Sequence, residues 1–196
     1  VVYSGHPVKQ ELLSTVKSKL TGGGLSDLAT DKIARILHSF LKSDQHEELK
    51  PQAANLLLFN VSGARHHLAA LRYLREYLEK SSLNAAEQSS LATALLQFAA
   101  SAVDTEERVM AWLLVFLLDP CKLEEAEQHK QVLGLLRTVI EQEVIADYSR
   151  ARMVAALERF DSEIKTTEKL KKAAAYLLFR LQNPHEKPTW DKIEKR

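Results

Sequence analysis

The sequence is poor in the residues that interrupt or cross-link a chain. Its 196 residues include 6 glycines, 5 prolines and 1 cysteine. So few glycines and prolines argue against an all-β protein with many tight turns. The lone Cys121 excludes a disulfide framework within the chain. A single thiol also fits a reducing compartment, and we therefore expect a cytoplasmic location.

A strong excess of either charge is also missing. The chain has 27 lysines and arginines against 26 acidic residues, a formal net charge of +1. This balance gives no global attraction to nucleic acid or to an anionic membrane. The hydrophobic share of 45% is that of a globular protein. We expect one domain over residues 1–182, followed by a tail over residues 183–196 that packs back as a cap. The opening VVYSGHP has neither a Met nor an apolar leader, which predicts a part excised from a larger protein.

The longest apolar run is too short to cross a membrane. Residues 109–118 read VMAWLLVFLL, and ten helical residues cover about 15 Å, roughly half of a hydrocarbon core. Charges flank the run at Glu107, Arg108 and Asp119. A helix that is apolar on all sides is typically buried, so Trp112 and Phe116 are predicted core residues. The alternative is that part of this helix forms an exposed apolar groove for a partner helix.

Apolar periodicity and helix-end signals predict about nine helices. Asn84 and Asp104 each precede a glutamate by three residues, the spacing of a reciprocal N-terminal cap. Asp119, before a proline, is predicted to end the sixth helix and to cap the seventh. Sustained strand alternation is not found in the sequence, so the predicted class is all-α. The helices are expected near residues 7–20, 27–41, 48–61, 64–80, 85–103, 105–118, 122–144, 148–160 and 162–181.

Pairing successive helices reveals a recurring spacing. The pairs begin near residues 7, 48, 84, 122 and 162, so each spans roughly forty residues, the period of HEAT or armadillo solenoids. The sequence therefore favours stacked antiparallel helix pairs in a HEAT/armadillo-like α-solenoid. An irregular helical bundle is the alternative, because the pairs share no strict consensus.

Candidate metal ligands are scattered. His66 and His67 are adjacent and point about 100° apart on a helix, so they cannot chelate one ion together. His67 falls on an apolar helix face, and Glu125 with His129 is interpreted as a surface pair. No metal site and no cofactor are predicted.

Candidate catalytic groups are equally sparse. Cys121 is predicted near the start of the seventh helix, where a helix N-terminus lowers the pKa of a thiol. No partner group for it can be identified from the sequence. The glycines of TGGG, residues 21–24, lack the Lys-Ser/Thr of a phosphate loop. We expect no enzymatic activity; the alternative is an enzyme whose site has no local motif.

Basic residues mark two candidate surfaces. Arg65 and Arg72 share a face of the fourth predicted helix, with Arg75 nearby, although carboxylates four residues away can neutralise them. Residues 150–196 hold twelve lysines and arginines against seven acidic residues. Within this third of the chain, three lysines are predicted to share one face of the ninth helix: Lys165, Lys169 and Lys172.

The predicted function is protein–protein interaction, as a scaffold or adaptor domain that binds another protein through a helical surface. A nucleic-acid-binding domain that uses the basic C-terminal third is an alternative, although no aromatic residues interleave with its lysines. Trp190, in the polar tail, is either an anchor for the cap or a linear motif. The predicted partner-binding residues are Arg65, Arg72, Arg75, Lys165, Lys169, Lys172 and Trp190.

Overall fold

Every regular element that the structure describes is helical, which confirms the all-α prediction. The computed structural model describes residues 6–42, 49–80, 83–142, 145–186, 189 and 193, with the backbone alone for residues 6–9, 64, 79 and 80. No helix in this part of the chain is long and apolar enough to cross a membrane. The nine α-helices of the described residues are α1 (His6–Thr21), α2 (Asp27–Lys42), α3 (Lys50–Asn60), α4 (Ala64–Lys80), α5 (Ala85–Ser101), α6 (Thr105–Leu118), α7 (Ala126–Gln142), α8 (Asp147–Glu163) and α9 (Glu168–Gln182).

Local signals set several helix ends as predicted. The Asn84 side chain accepts a hydrogen bond from the backbone N–H of Glu87 at 3.0 Å, and the Glu87 carboxylate accepts one from the Asn84 N–H at 2.9 Å. The Asp104 side chain likewise accepts the backbone N–H groups of Glu106 and Glu107 at the start of α6. Both caps satisfy donors that the first helical turn leaves without partners.

The predicted start of the seventh helix is wrong. The carboxylate of Asp119 caps a 3₁₀ turn, Pro120–Lys122, by accepting the Cys121 N–H at 3.3 Å. Helix α7 begins only at Ala126, after the side chain of Gln128 accepts the N–H groups of Glu124 and Glu125, both at 3.1 Å. Asp119 therefore ends α6 and leads into a separate short turn, because Gln128 takes over the capping of α7.

The chain divides into two compact units, Val1–Tyr77 and Leu78–Arg196. In the first unit, α3 packs against both α1 and α2. The prediction of a single domain over residues 1–182 stays a prediction. The core of the first unit includes Leu13, Val16, Ala34, Leu37, Ala53, Leu57, Leu71 and Leu74.

Helix α6 holds the core of the second unit. It packs against α5, α7, α8 and the 3₁₀ turn, and its residues 113–118 are all buried. The prediction that the long apolar run is core is confirmed. Phe116 is fully buried and lies 5.7 Å, ring to ring, from Phe160 of α8. Trp112 is only half-buried, so the prediction that its whole side chain lies in the core is wrong.

The main packing contacts of the second unit join helices that are neighbours or next neighbours in sequence. Neighbours pack as α5 with α6, α6 with α7, and α8 with α9. Next neighbours pack as α6 with α8 and α7 with α9. The contact between α7 and α9 borders a groove on the surface of this unit.

Candidate functional site

A groove of about 840 Å³ lies between α7 and α9 in the second unit. We call it the α7/α9 groove. Its two walls are helix faces, because the lining residues of each helix recur at three- and four-residue intervals. The lining residues are Lys130, Leu133, Gly134 and Arg137 of α7, Glu168, Lys169, Leu170, Lys172, Ala173, Tyr176 and Leu177 of α9, and Thr189 and Ile193 beyond it.

The floor of the groove consists of apolar side chains and, at Gly134, of backbone without a side chain. Leu133, Leu170 and Leu177 supply aliphatic surface beside Ala173. Gly134 lies inside α7, and a Cβ placed there would meet no heavy atom within 4 Å. A glycine within a helix costs about 0.5–1 kcal/mol of stability relative to alanine. Here its missing side chain keeps the groove open.

One end of the groove is closed by a polar cluster that joins α7 to α9. The Arg137 Nε donates a hydrogen bond to the Glu141 carboxylate at 2.9 Å, and the guanidinium lies 5.6 Å from the centre of the Tyr176 ring. The Tyr176 hydroxyl donates to the same Glu141 oxygen at 3.4 Å. The hydrogen bond and charge of Glu141 raise the pKa of Arg137. This cluster contacts both helix faces.

The rim of the groove is basic. The Lys130 ammonium lies 3.1 Å from a Glu127 oxygen, and that of Lys172 lies 3.9 Å from a Glu168 oxygen. Both pairs are within one helix and well exposed, and such pairs contribute little stability. For Lys169 the described residues place no carboxylate within ion-pair distance. Lys130 and Lys169 are exposed and therefore lie where an incoming anionic group can reach them.

The chain itself contributes a third wall. Thr189 and Ile193 line the groove, and the Ile193 N–H donates to the Thr189 carbonyl at 3.1 Å, as in one turn of helix. Ile193 is only 7% exposed. An aliphatic side chain from a helical turn thus already packs at this place. Trp190, predicted to contact a partner or to anchor the cap, lies outside the described residues.

The lysines predicted on the ninth helix do not all lie on it. Lys169 and Lys172 line the groove, but Lys165 precedes α9 and lies exposed in the connection from α8. The prediction of one helical face for all three is wrong. Helix α8 continues to Glu163, and the Thr167 carbonyl accepts the N–H groups of Leu170 and Lys171 in the first turn of α9. The two helix boundaries therefore fall later than the charge pattern indicated.

The three predicted arginines belong to another element. Arg65, Arg72 and Arg75 all lie on α4, within the first unit, with Arg65 and Arg72 exposed and Arg75 half-buried. Their role in partner binding stays a prediction.

The first unit contains a linked pair of histidines that the sequence did not indicate. His38 Nε2 of α2 lies 2.7 Å from His66 Nδ1 of α4, and His66 Nε2 lies 3.8 Å from an Asp31 oxygen. Burial, followed by the charges of His66, Lys42 and Arg65, lowers the pKa of His38. Within the described residues, no group of three or more metal-ligating side chains occurs.

Cys121 lies in the 3₁₀ turn and not at the N-terminus of α7, the position that would lower the pKa of its thiol. Its exposed Sγ donates to a Glu163 oxygen at 3.1 Å, while Arg159 bridges Glu163 at 3.2 Å and Asp119 at 3.1 Å. Burial raises the pKa of the Cys121 thiol, as do the hydrogen bond and charge of Glu163 and the charge of Asp119, whereas Arg159 lowers it. The thiol is not activated, because it lies in a 3₁₀ turn beside carboxylates and not at the start of α7.

The interpretation of His129 as a surface residue is wrong. Its side chain is only 3% exposed, and the ring lies edge-on to Phe160, 5.0 Å between ring centres. Burial lowers the pKa of His129, against the opposing effect of hydrogen bonds with the Leu123 and Pro120 backbone. His129 is therefore a core residue that secures the 3₁₀ turn to α7.

The chain was compared with protein-family models, with curated proteins and with solved structures, and none of them matches. Its function has to be inferred from the α7/α9 groove, where apolar surface, basic charge and open space come together.

Proposed function

We propose that the chain is a protein-interaction domain that receives a helix of another protein in the α7/α9 groove. The observation that carries this proposal is the groove of about 840 Å³ between two helix faces, with aliphatic side chains among its lining residues. A helix that lays its apolar side into a hydrophobic groove is a common mode of recognition between proteins. Scaffold and adaptor roles follow from such a domain.

The dimensions of the groove fit a short helical segment. Lys130 and Arg137 mark its extent along α7, and seven helical residues cover about 10 Å, or two turns. At Gly134 an incoming side chain can approach the backbone of α7 directly. The packing of Ile193 against the same surface supports an apolar anchor as the group that fills the groove.

The packing of the second unit supports an array of helix pairs as the scaffold. Contacts between α6 and α8, and between α7 and α9, run along two rows of alternate helices, while α5–α6 and α8–α9 contacts join the rows. Two such rows are the arrangement of a HEAT/armadillo-like solenoid. In this proposal, α7 and α9 are successive members of one row, and the groove is the surface between them.

The pKa of the Cys121 thiol also favours a binding role for the chain over a catalytic one. A nucleophilic cysteine needs a lowered pKa or an adjacent base that accepts its proton. The Cys121 thiol donates to Glu163, and its pKa is raised. The thiol is thus held in its protonated, less nucleophilic form.

A selection of helical peptides tests the proposal. A displayed library of apolar-anchored helices is selected on the whole chain, and the selected peptides are titrated against Gly134→Trp and Gly134→Ala. We expect the indole to fill the groove and to weaken binding about tenfold or more. The alanine variant is the matched control, since its methyl group meets no neighbour and favours helix.

Two outcomes of the selection would contradict the proposal. A library that yields no helical binder contradicts the proposal. Binders that are indifferent to Gly134→Trp contradict it as well, provided that circular dichroism shows the variant to be folded.

A further inference from the structure

We infer that the helix bound in the α7/α9 groove is acidic, with carboxylates on both sides of its apolar face. This inference rests on the proposed function and names the chemistry of the partner. The lysines stand on both walls, Lys130 on α7 and Lys169 with Lys172 on α9, and the aliphatic floor lies between the walls. An amphipathic helix with a negative border on each side of its apolar stripe complements this arrangement.

The carboxylates already near the rim do not saturate its charge. Glu127 does not line the groove, and it holds Lys130 through an exposed pair within one helix. Among the lining residues that the structure describes, Glu168 is the one carboxylate, and its oxygen lies 3.9 Å from the Lys172 ammonium. Exposed pairs within one helix, such as Lys130 with Glu127, contribute little stability. A partner's carboxylate can therefore compete with Glu127 for Lys130 and can contact Lys169 directly.

Arg137 has a different role from the lysines. Its guanidinium is engaged by Glu141 and by the face of Tyr176. We assign it to positioning, because it contacts Tyr176 of α9 and already has a carboxylate partner on α7. The attraction for the partner then resides in Lys130, Lys169 and Lys172.

The same features favour an acidic protein over a nucleic acid. Proteins that bind single strands without sequence preference stack bases on exposed aromatic faces above a charged groove. Among the described lining residues Tyr176 is the one aromatic residue, and a face of its ring lies beneath the Arg137 guanidinium. The other apolar side chains of this described lining are aliphatic, which suits leucine-like side chains and not stacked bases.

Direct titration with designed peptides tests the inference. The first probe is a labelled helical peptide of about 14 residues, some four turns, with leucines on one face and glutamates beside them. The second has lysines in place of the glutamates, and the third is a single-stranded oligouridylate. Fluorescence anisotropy is recorded at about 0.05 M and about 0.3 M salt, because interactions of exposed charges weaken as the Debye length shortens.

We expect the acidic peptide to bind at least about tenfold more tightly than the basic one, and to lose affinity as salt rises. Lys169→Glu combined with Lys172→Glu should weaken the acidic peptide about tenfold and improve the basic one. Lys169→Glu alone is compared with its matched control Lys165→Glu, which makes the same charge change on an exposed lysine that does not line the groove. The control should leave the affinity nearly unchanged.

The outcomes separate the inference from the proposed function. If the basic peptide binds as well as the acidic one, and Gly134→Trp blocks both, the groove receives helices but the acidic partner is wrong. If neither peptide binds and the library also yields no binder, both ideas fail. Tight binding of the oligouridylate that is lost in the Lys169→Glu variant, with no binding of the acidic peptide, replaces both with a nucleic-acid function.

Discussion

The imidazoles of His38 and His66 share one hydrogen bond, with 2.7 Å between Nε2 of the first and Nδ1 of the second. The two rings join α2 to α4 within the first unit. Because one nitrogen must donate and the other accept, this bond requires that at least one of the two rings be neutral. When both rings are protonated, two N–H donors face each other and the bond is lost.

We predict that the chain loses stability as the pH falls below about 6.5, the ordinary pKa of histidine. The folded chain holds His38 and His129 at lowered pKa values, by burial first in each case. As the pH falls, these histidines are protonated in the unfolded chain at a higher pH than in the folded chain. The free energy of unfolding therefore decreases with falling pH, until the pH is below the lowered pKa values of the folded state. Urea unfolding measured at several pH values between about 5 and 8 reports this slope.

The variant His38→Gln should flatten this pH dependence, because it removes one of the two titrating groups. His185→Gln provides the control, since His185 is exposed. If the free energy of unfolding changes with pH as steeply in His38→Gln as in the unmodified chain, His38 does not contribute to the pH dependence. This comparison does not depend on the absolute stabilities of the two proteins.

The N-terminal caps of α5 and α6 are expected to contribute measurably to stability. Asn84→Ala removes a reciprocal cap, and Asp104→Ala removes an acceptor shared by two N–H groups. Each should lower the free energy of unfolding by about 1 kcal/mol. Chemical denaturation measures the loss, with Ser90→Ala at an exposed position inside α5 as the control. Losses no larger than that of the control would show that these caps do not stabilise the helices.

Removal of the aromatic contact between α6 and α8 should cause a large decrease in the free energy of unfolding. Phe116 is fully buried and its ring lies 5.7 Å from that of Phe160, so Phe116→Ala should cost about 3–5 kcal/mol. If that variant fails to fold, Phe116→Leu, with an expected cost of about 1.5 kcal/mol, gives a measurable value. Val103→Ala, at a residue that is 93% exposed, should change stability by less than about 0.5 kcal/mol.

The reactivity of Cys121 should respond in opposite directions to its two neighbours. Glu163→Gln removes a charge that raises the thiol's pKa, so alkylation by iodoacetamide near neutral pH should become faster. Arg159→Gln removes the positive charge that lowers the pKa of the Cys121 thiol, so alkylation should become slower. The rate is followed against pH by mass spectrometry, with Asp161→Asn on the exposed surface of α8 as the control. Changes in the same direction would contradict this assignment.

Features that depend on neighbouring residues could be predicted from the sequence. The bounds of α4 are those predicted, and the cap at Asn84 forms as its spacing indicated. These signals act within one helical turn, where side chain and backbone meet whatever the rest of the chain does. The burial of the apolar run in α6 was predictable for a similar reason, since a helix with no polar face has to be covered.

Features that join distant residues could not be predicted. Cys121 and Glu163 are 42 residues apart, and His38 and His66 are 28 apart, so no local pattern connects them. The charge pattern indicated Lys169 and Lys172, but the groove between α7 and α9 depends on how these helices pack. Lys165 was misplaced because periodicity alone does not show where one helix ends and the next begins.

The order in which the second unit packs also affects how it folds. Its main contacts join helices that are one or two apart in the sequence, so short loops close before any distant segments have to meet. Chains with such local contacts fold within microseconds to milliseconds, because little loop entropy is lost before apolar surface is buried.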